Sequence, residues 1–230
     1  MSWDAAQRGE AASGELEGEI DLADALQPPW LPPPLPPPPV LEAPGAAAAV
    51  CASVPVRVRT EQRVQCGGYE IVLQTIDADN VEALRALNAE VLPVTYNDAF
   101  YTSVWRDHGP ELSCLALVDG AVVGGIACRL EAAGEAGQQR VYVMTLSVRE
   151  AWRRAGIGSR LVEAIAERAA AGGAAGSMCL HVQTSNDAAL RFYGRAGFHV
   201  HARIERYYAH NRGVDPPHAF FLRRLLGPRQ

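Results

Sequence analysis

From position 69 onward the chain switches between two apolar periods. Tyr69 to Gln74 sets apolar and polar residues in turn, which predicts a strand, whereas Asp79 to Leu92 spaces its leucines and valines along one helical face behind an aspartate cap. Pro93 ends that helix, and Asp98 to Arg106 predicts a second, shorter one. Leu115 to Val118 and Ala121 to Arg129 read as two strands joined by the tight turn Asp119-Gly120. Arg140 to Val148 is rich in β-formers and leads into an amphipathic helix, Gly156 to Ala171, with Leu161, Val162, Ile165 and Ala169 on one face. Gly172, Gly173 and Gly176 close it. A strand at Met178 to Gln183, a polar turn Thr184-Ser185-Asn186, a helix at Asp187 to Arg195 and strands near Phe198 to Arg203 and Ala219 to Leu225 complete the order. This succession predicts one α+β domain over 67–230, a mixed central β-sheet flanked by helices.

Residues 1–66 follow neither period. Gly, Ala and acids give way to Pro28–Pro39, broken only by Trp30, Leu31 and Leu35, and then to the alanine run Ala46–Ala49. Such a segment lacks the apolar surface that would offset its ordering entropy, so it reads as a disordered Pro/Ala-rich arm. The proline run favours polyproline II, serving as a spacer or as a ligand for an SH3-like or WW-like module.

Charge sharpens the division. The net charge of −5 belongs to the arm: before Cys66 nine acids face four arginines, and from Cys66 onward seventeen acids meet seventeen arginines. No basic patch points to nucleic acid. All 21 basic residues are arginine, so the chain has no lysine side chain of its own to modify. Cys51, Cys66, Cys114, Cys128 and Cys179 lack paired spacing, which argues for reduced thiols and against a disulfide framework or a metal site. The acidic start is unlike a secretory leader, and no apolar run reaches the roughly 18 residues of a membrane span. The expectation is a soluble cytoplasmic protein, with a nuclear pool also compatible, and no membrane partner.

The segment that carries chemistry is Arg153-Arg154-Ala155-Gly156-Ile157-Gly158, set between a strand and a helix. Main-chain N–H groups at a helix N-terminus lack internal partners, the helix dipole favours an anion there, and glycines permit close approach of a ligand. A diphosphate suits such a site. A tight β-to-α turn with no ligand would carry the same glycines. The phosphate-loop motif is excluded for want of a lysine, and the third glycine of the dinucleotide fingerprint is missing.

The R-x-x-G-x-G turn resembles the acetyl-CoA pyrophosphate loop of the Gcn5-related N-acetyltransferase (GNAT) family. Asn186 to Phe198, N-D-A-A-L-R-F-Y-G-R-A-G-F, is similar to that family's CoA-edge helix with its F-Y-x-x-x-G-F signature. Four further blocks occur in the same order as in the N-terminal acetyltransferase E group: L-P-V-T-Y-N-D-A-F-Y (Leu92 to Tyr101), Y-V-M-T-L (Tyr142 to Leu146), L-H-V-Q-T-S-N (Leu180 to Asn186) and Tyr207-Tyr208. The resemblance implies acetyl transfer from acetyl-CoA, with no metal, to the free α-amine of polypeptides.

It also implies roles. Tyr142 and His181 match the pair that activates the incoming amine through ordered water, and histidine is the side chain whose ordinary pKa lies near the working pH. Tyr193 is placed to stabilise or protonate the departing thiolate, or else to pack its helix on the sheet. The cofactor is held by Leu146, Val148, Arg153, Arg154, Ala155, Gly156, Ile157, Gly158, Ser159, Asn186, Ala189, Tyr193 and Arg195, although Asn186 would equally serve as a helix cap. Leu92, Pro93, Val94, Tyr96, Met144, Tyr207 and Tyr208 line the substrate site, whose apolar floor suits an initiator methionine followed by an apolar residue. Two departures stand out: Leu92 where phenylalanine is common, and the polar loop Ala209-His210-Asn211-Arg212-Gly213.

Partners implied in this way are nascent polypeptide N-termini, the scaffold of the N-terminal acetyltransferase A complex and the ribosome. The alternatives are a lysine or small-amine acetyltransferase of the same fold, and a non-catalytic acetyl-CoA-binding subunit. The presence of both Tyr142 and His181 favours catalysis.

Overall fold

The computed structural model describes residues 60–107, 110–133, 139–173, 175–209, 211 and 214–227. Residues 1–59 of the expected arm, and with them the proline run, lie outside the described residues. The last part of that arm is a correction: residues 61–66 form the first strand of the sheet.

Among the described residues, eight strands make one sheet in the order β1-β2-β3-β4-β5-β6-β8-β7. They are β1 (Glu61–Cys66), β2 (Tyr69–Thr75), β3 (Cys114–Val118), β4 (Ala121–Ala132), β5 (Gln139–Val148), β6 (Ser177–Gln183), β7 (His199–Ile204) and β8 (Ala219–Leu225). Every adjacent pair is antiparallel except β5 with β6. Strand β1 is an edge with alternating exposed and half-buried residues. It is held by a six-pair ladder to β2 rather than by apolar burial, so its own sequence carries little strand signal.

Among the described residues, four α-helices cover the two faces. Helices α1 (Val81–Val91) and α2 (Asp98–Arg106) pack on one through Ile76, Val81, Leu84, Tyr101, Val104, Leu115 and Ala127. Helices α3 (Ile157–Ala171) and α4 (Asp187–Arg195) serve the other, where Leu161, Val162 and Ile165 meet Ile71, Ile126, Val141 and Met178. Adjacent glycines on β4 let both layers come close. A Cβ on Gly124 would lie 3.1 Å from Ile157, and one on Gly125 would lie 3.0 Å from Leu84. Helix α1 starts at Val81 with Asn80, not an aspartate, at the N-cap position; Asp77 Oδ1 accepts the N–H groups of Asp79 and Asn80 and holds those residues in a turn. Asn97 and Asn186 cap α2 and α4, accepting from the N–H groups of Phe100 and Ala189 at 3.0 Å each.

The feature that positions the site is where the sheet opens. Strands β5 and β6 pair only at Arg140–Ser177, Val141–Met178 and Tyr142–Cys179. Beyond Tyr142, β5 stays on β4 and β6 stays on β8. The β4–β5 register jumps from Ala127–Thr145 to Cys128–Val143, leaving Met144 as the extra residue of a bulge. A bulge bends its strand and strengthens the local twist, which turns β5 away from β6 at that point. The two strands therefore diverge toward their carboxyl ends, where α3 and α4 begin.

Candidate active site

At the fork, Tyr142 Oη lies 3.0 Å from His181 Nδ1 and 3.3 Å from Tyr207 Oη. The His181 ring stacks on Tyr207 with centroids 4.1 Å apart and planes 13° from parallel. Tyr142 comes from β5, His181 from β6, and Tyr207 from the connection between β7 and β8, so residues far apart in sequence meet only because the sheet places them together. Burial holds the Tyr142 phenol well above its ordinary pKa, reinforced by Tyr207 and Tyr208, so it stays protonated.

His181 departs from the sequence-based expectation. Burial, then the guanidiniums of Arg140 and Arg129, push its pKa down to about 3. The residue is a neutral imidazole near pH 7, not a base poised at the working pH. Its Nε2 is buried and has no hydrogen-bond partner among the described residues.

The guanidiniums responsible belong to a network that the sequence did not announce. Glu131 accepts from Arg129 through one oxygen and from Arg140 Nε and Nη2 at 3.1 Å through the other. The Arg129 guanidinium carbon lies 4.7 Å from the Tyr142 ring centroid, and Arg140 lies 5.6 Å from that of Phe221. Arg129 and Glu131 are two apart on β4 and directly oppose Tyr142 and Arg140 on β5. An R-x-E pair at the end of an apolar strand is the signal that would have flagged them.

The expected substrate residues divide into two groups. Tyr96, Met144, Tyr207 and Tyr208 cluster beside the fork. Tyr96 and Met144 pack against the α1–α2 core, and Tyr96 stacks on Phe100 at 4.3 Å. Tyr207 acts on the Tyr96 phenol, and both Tyr207 and Tyr96 act on that of Tyr208, with burial the leading cause of the rise in each case. Leu92, Pro93 and Val94 follow the end of α1, Leu92 and Val94 half-buried and Pro93 exposed. His210, Arg212 and Gly213 of the polar loop lie outside the described residues.

On the cofactor side, the N-termini of α3 and α4 stand together at the carboxyl ends of the parallel pair. A Cβ on Gly158 would come 3.3 Å from the Phe192 ring, so this glycine lets the two helices approach each other. Gly156 has φ 86° and sits against Cys66, whose Sγ would be 2.9 Å from an added Cβ. Both glycines thus also serve the protein's own packing. The preceding Arg154 is also left-handed, at φ 66°, a conformation that costs a non-glycine residue about 1–3 kcal/mol.

This strained turn leaves the N–H groups from Ala155 to Ser159 without partners among the described residues, the first helical bond being Arg160 N–H to Gly156 O at 3.0 Å. Ile157 is buried in the core, so only its main chain faces outward. Arg153, Arg154 and Ser159 are exposed around the loop, and Arg153 donates to the Val148 carbonyl at 3.2 Å. Unpaired donors at a helix N-terminus, flanked by arginines, fit a diphosphate.

Leu146, Val148, Ala189 and Tyr193 line the inner side of this region, half-buried against the α3 core. Arg195 is exposed at the far end of α4, and the Asn186 side-chain oxygen is engaged as a cap. The Tyr193 phenol is raised by burial and then by Cys128 and Tyr208.

The sequence profile of the Acetyltransferase (GNAT) family matches residues 81–198. The chain belongs to the GNAT acetyltransferase family. Among GNAT relatives, the probable N-acetyltransferase san of Drosophila melanogaster is 36% identical over 156 residues, covering 68% of this chain and 81% of that one. N-alpha-acetyltransferase 50 of Danio rerio is 33% identical over 156 residues, covering 68% and 89%. In structure the GNAT domain is similar to Arabidopsis thaliana Naa50, solved in complex with the bisubstrate analogue CoA-Ac-MVNAL. The TM-score is 0.59 at 34% identity, covering 67% of this chain and 97% of that one.

Proposed function

We propose that the protein is an N-α-acetyltransferase of the E type, which transfers the acetyl group of acetyl-CoA to the free α-amine of polypeptides. The observation that carries the reading is the 3.0 Å contact between Tyr142 and His181 at the open end of the β5–β6 pair, beside a helix N-terminus with unpaired donors.

Acetyl-CoA is the co-substrate and supplies an activated thioester. Its diphosphate is assigned to the N–H groups from Ala155 to Ser159. Transfer forms a C–N bond and breaks the C–S bond, so one proton leaves the amine and one arrives on sulfur. An α-amine has a pKa of about 7.7–8.0, so a useful fraction is neutral at pH 7 and no strong base is required. The chain's contribution is to accept the proton that bond formation releases. With Tyr142 donating to Nδ1, the phenol keeps oxygen lone pairs for an incoming N–H or for a bridging water that carries the released proton onward, and a neutral His181 holds the phenol in that orientation. Tyr193, kept protonated by burial, is suited to donate to the thiolate.

Peptides that begin with methionine followed by an apolar residue are the proposed substrates. Tyr96, Met144, Tyr207 and Tyr208 offer an apolar and aromatic wall, against which a buried methionine side chain gains about 1.5–3 kcal/mol. The analogue bound by the Arabidopsis relative, whose peptide letters begin with M, supports this reading. Nascent chains are the proposed source, met in the cytoplasm near the ribosome and on the scaffold of the N-terminal acetyltransferase A complex. A panel of peptides starting Met-Leu, Met-Ala and Ser-Glu, assayed with acetyl-CoA, tests the proposal. Met-Leu is expected to be fastest, and equal rates would refute the specificity.

A further inference from the structure

We infer that the turn of the β1–β2 hairpin is a positioning element for the acetyl-CoA loop, with Cys66, Gly67 and Tyr69 as positioning residues; this rests on the proposal that residues 155–159 bind the diphosphate. The hairpin lies outside the segment matched by the family profile. Three contacts join it to the loop.

The Cys66 thiol donates to the Ala155 carbonyl at 3.1 Å, across 89 residues of sequence. Gly67, at φ 57°, comes so near that a Cβ there would lie 2.5 Å from the same oxygen and 3.2 Å from its carbon. The Tyr69 ring meets Trp152 edge-on, centroids 4.9 Å apart, just before the loop. In return Gly156 presents its bare Cα to Cys66. Two segments remote in sequence therefore meet glycine to main chain, which leaves the loop no room to swing toward the hairpin.

The peptide plane gives this contact its purpose. In a trans peptide the carbonyl of one residue and the N–H of the next point in opposite directions. Holding the Ala155 oxygen against Cys66 and Gly67 turns the Gly156 N–H away from the hairpin, toward the side on which the loop's other free donors are offered. A loop with left-handed residues at 154 and 156 has no regular ladder to set that direction. The hairpin supplies it from outside, itself anchored by the Cys66–Tyr69 register at the end of its ladder.

The test measures acetyl-CoA binding to the full chain by calorimetry, together with separate titrations of acetyl-CoA and peptide in the rate assay. Cys66→Ala is expected to weaken acetyl-CoA about fivefold, the worth of one net hydrogen bond, and to raise its KM alike. kcat at saturation and the peptide KM should stay unchanged. Cys66→Ser, which keeps a donor, should restore most of the affinity. Gly67→Ala should weaken it further, and Arg63→Ala, on the exposed face of the same hairpin, should leave it unaltered.

Wild-type affinity in both Cys66→Ala and Gly67→Ala would overturn this inference and leave the proposed function standing. Absence of binding by the unaltered chain would overturn both. If Gly67→Ala does not fold, Cys66→Ala decides alone, since it only removes an atom. A loss spread equally over kcat and both KM values would mark a general structural defect and count against positioning.

Discussion

Replacing Tyr142 by phenylalanine removes one oxygen and keeps the ring. That oxygen is 3.0 Å from His181 Nδ1 and 3.3 Å from the Tyr207 hydroxyl, so its loss strands two polar atoms in a largely buried setting. Leaving a buried group unsatisfied costs about 1–3 kcal/mol of stability. The ring still stands opposite Arg129, in the same cross-strand pair, so the strand should survive. The kinetic loss is expected to be larger. A positioned acid–base group contributes roughly 10²–10⁴ in rate, equivalent to about 2.7–5.5 kcal/mol of barrier. Because the acetyl-CoA loop follows the far end of β5, affinity for that co-substrate should not change. The assay is kcat on a Met-Leu peptide beside calorimetric titration with acetyl-CoA. A variant that keeps more than half of the wild-type kcat, or that loses only acetyl-CoA affinity, would refute the relay.

Three further outcomes follow from the same structure. His181 has a folded-state pKa of about 3 against an ordinary 6.5; between those values the unfolded chain binds the extra proton. Its contribution to stability is therefore full above about pH 6.5 and is lost as pH falls toward 3, and urea denaturation at pH 7 and pH 4.5 should show a smaller drop for His181→Asn than for wild type. For the same reason the peptide kcat/KM should rise with pH as the substrate amine deprotonates, near 7.7–8.0, and an inflection near 6.5 that vanishes in His181→Asn would contradict the neutral imidazole. Leu161→Ala, at a fully buried position of α3, should cost about 2–5 kcal/mol in chemical denaturation with little effect on peptide choice.

Much of the architecture was legible because its signals are local. Helices α2 and α4 run from Asp98 to Arg106 and from Asp187 to Arg195, the bounds expected from the sequence, and Asn186 caps the second as its position suggested. Part of the site is local as well, in that Tyr142 and Met144 lie on one strand and Tyr207 adjoins Tyr208. What stayed hidden depends on partners far away in the chain. Strand β1 has only Val64 and Cys66 to pack on the core and is held by its ladder, so its sequence does not set it apart from the arm. The lowered pKa of His181 comes from burial and from Arg129 and Arg140, which no reading of Leu180-His181-Val182 reveals. The packing of Gly156 against Cys66, whose Sγ is the atom nearest to the glycine's missing Cβ, joins segments that no local reading of the loop brings together.

The three residue pairs that join β5 to β6 also bear on how the molecule comes apart. Strands β1 to β5 form a run of antiparallel neighbours in sequence order, while β6, β7 and β8 form a separate antiparallel set. Backbone openings favour the stretch with the fewest bonds to break. Amide protons along this seam should therefore exchange ahead of those in the centre of either set, and a substrate bridging the two would slow them first.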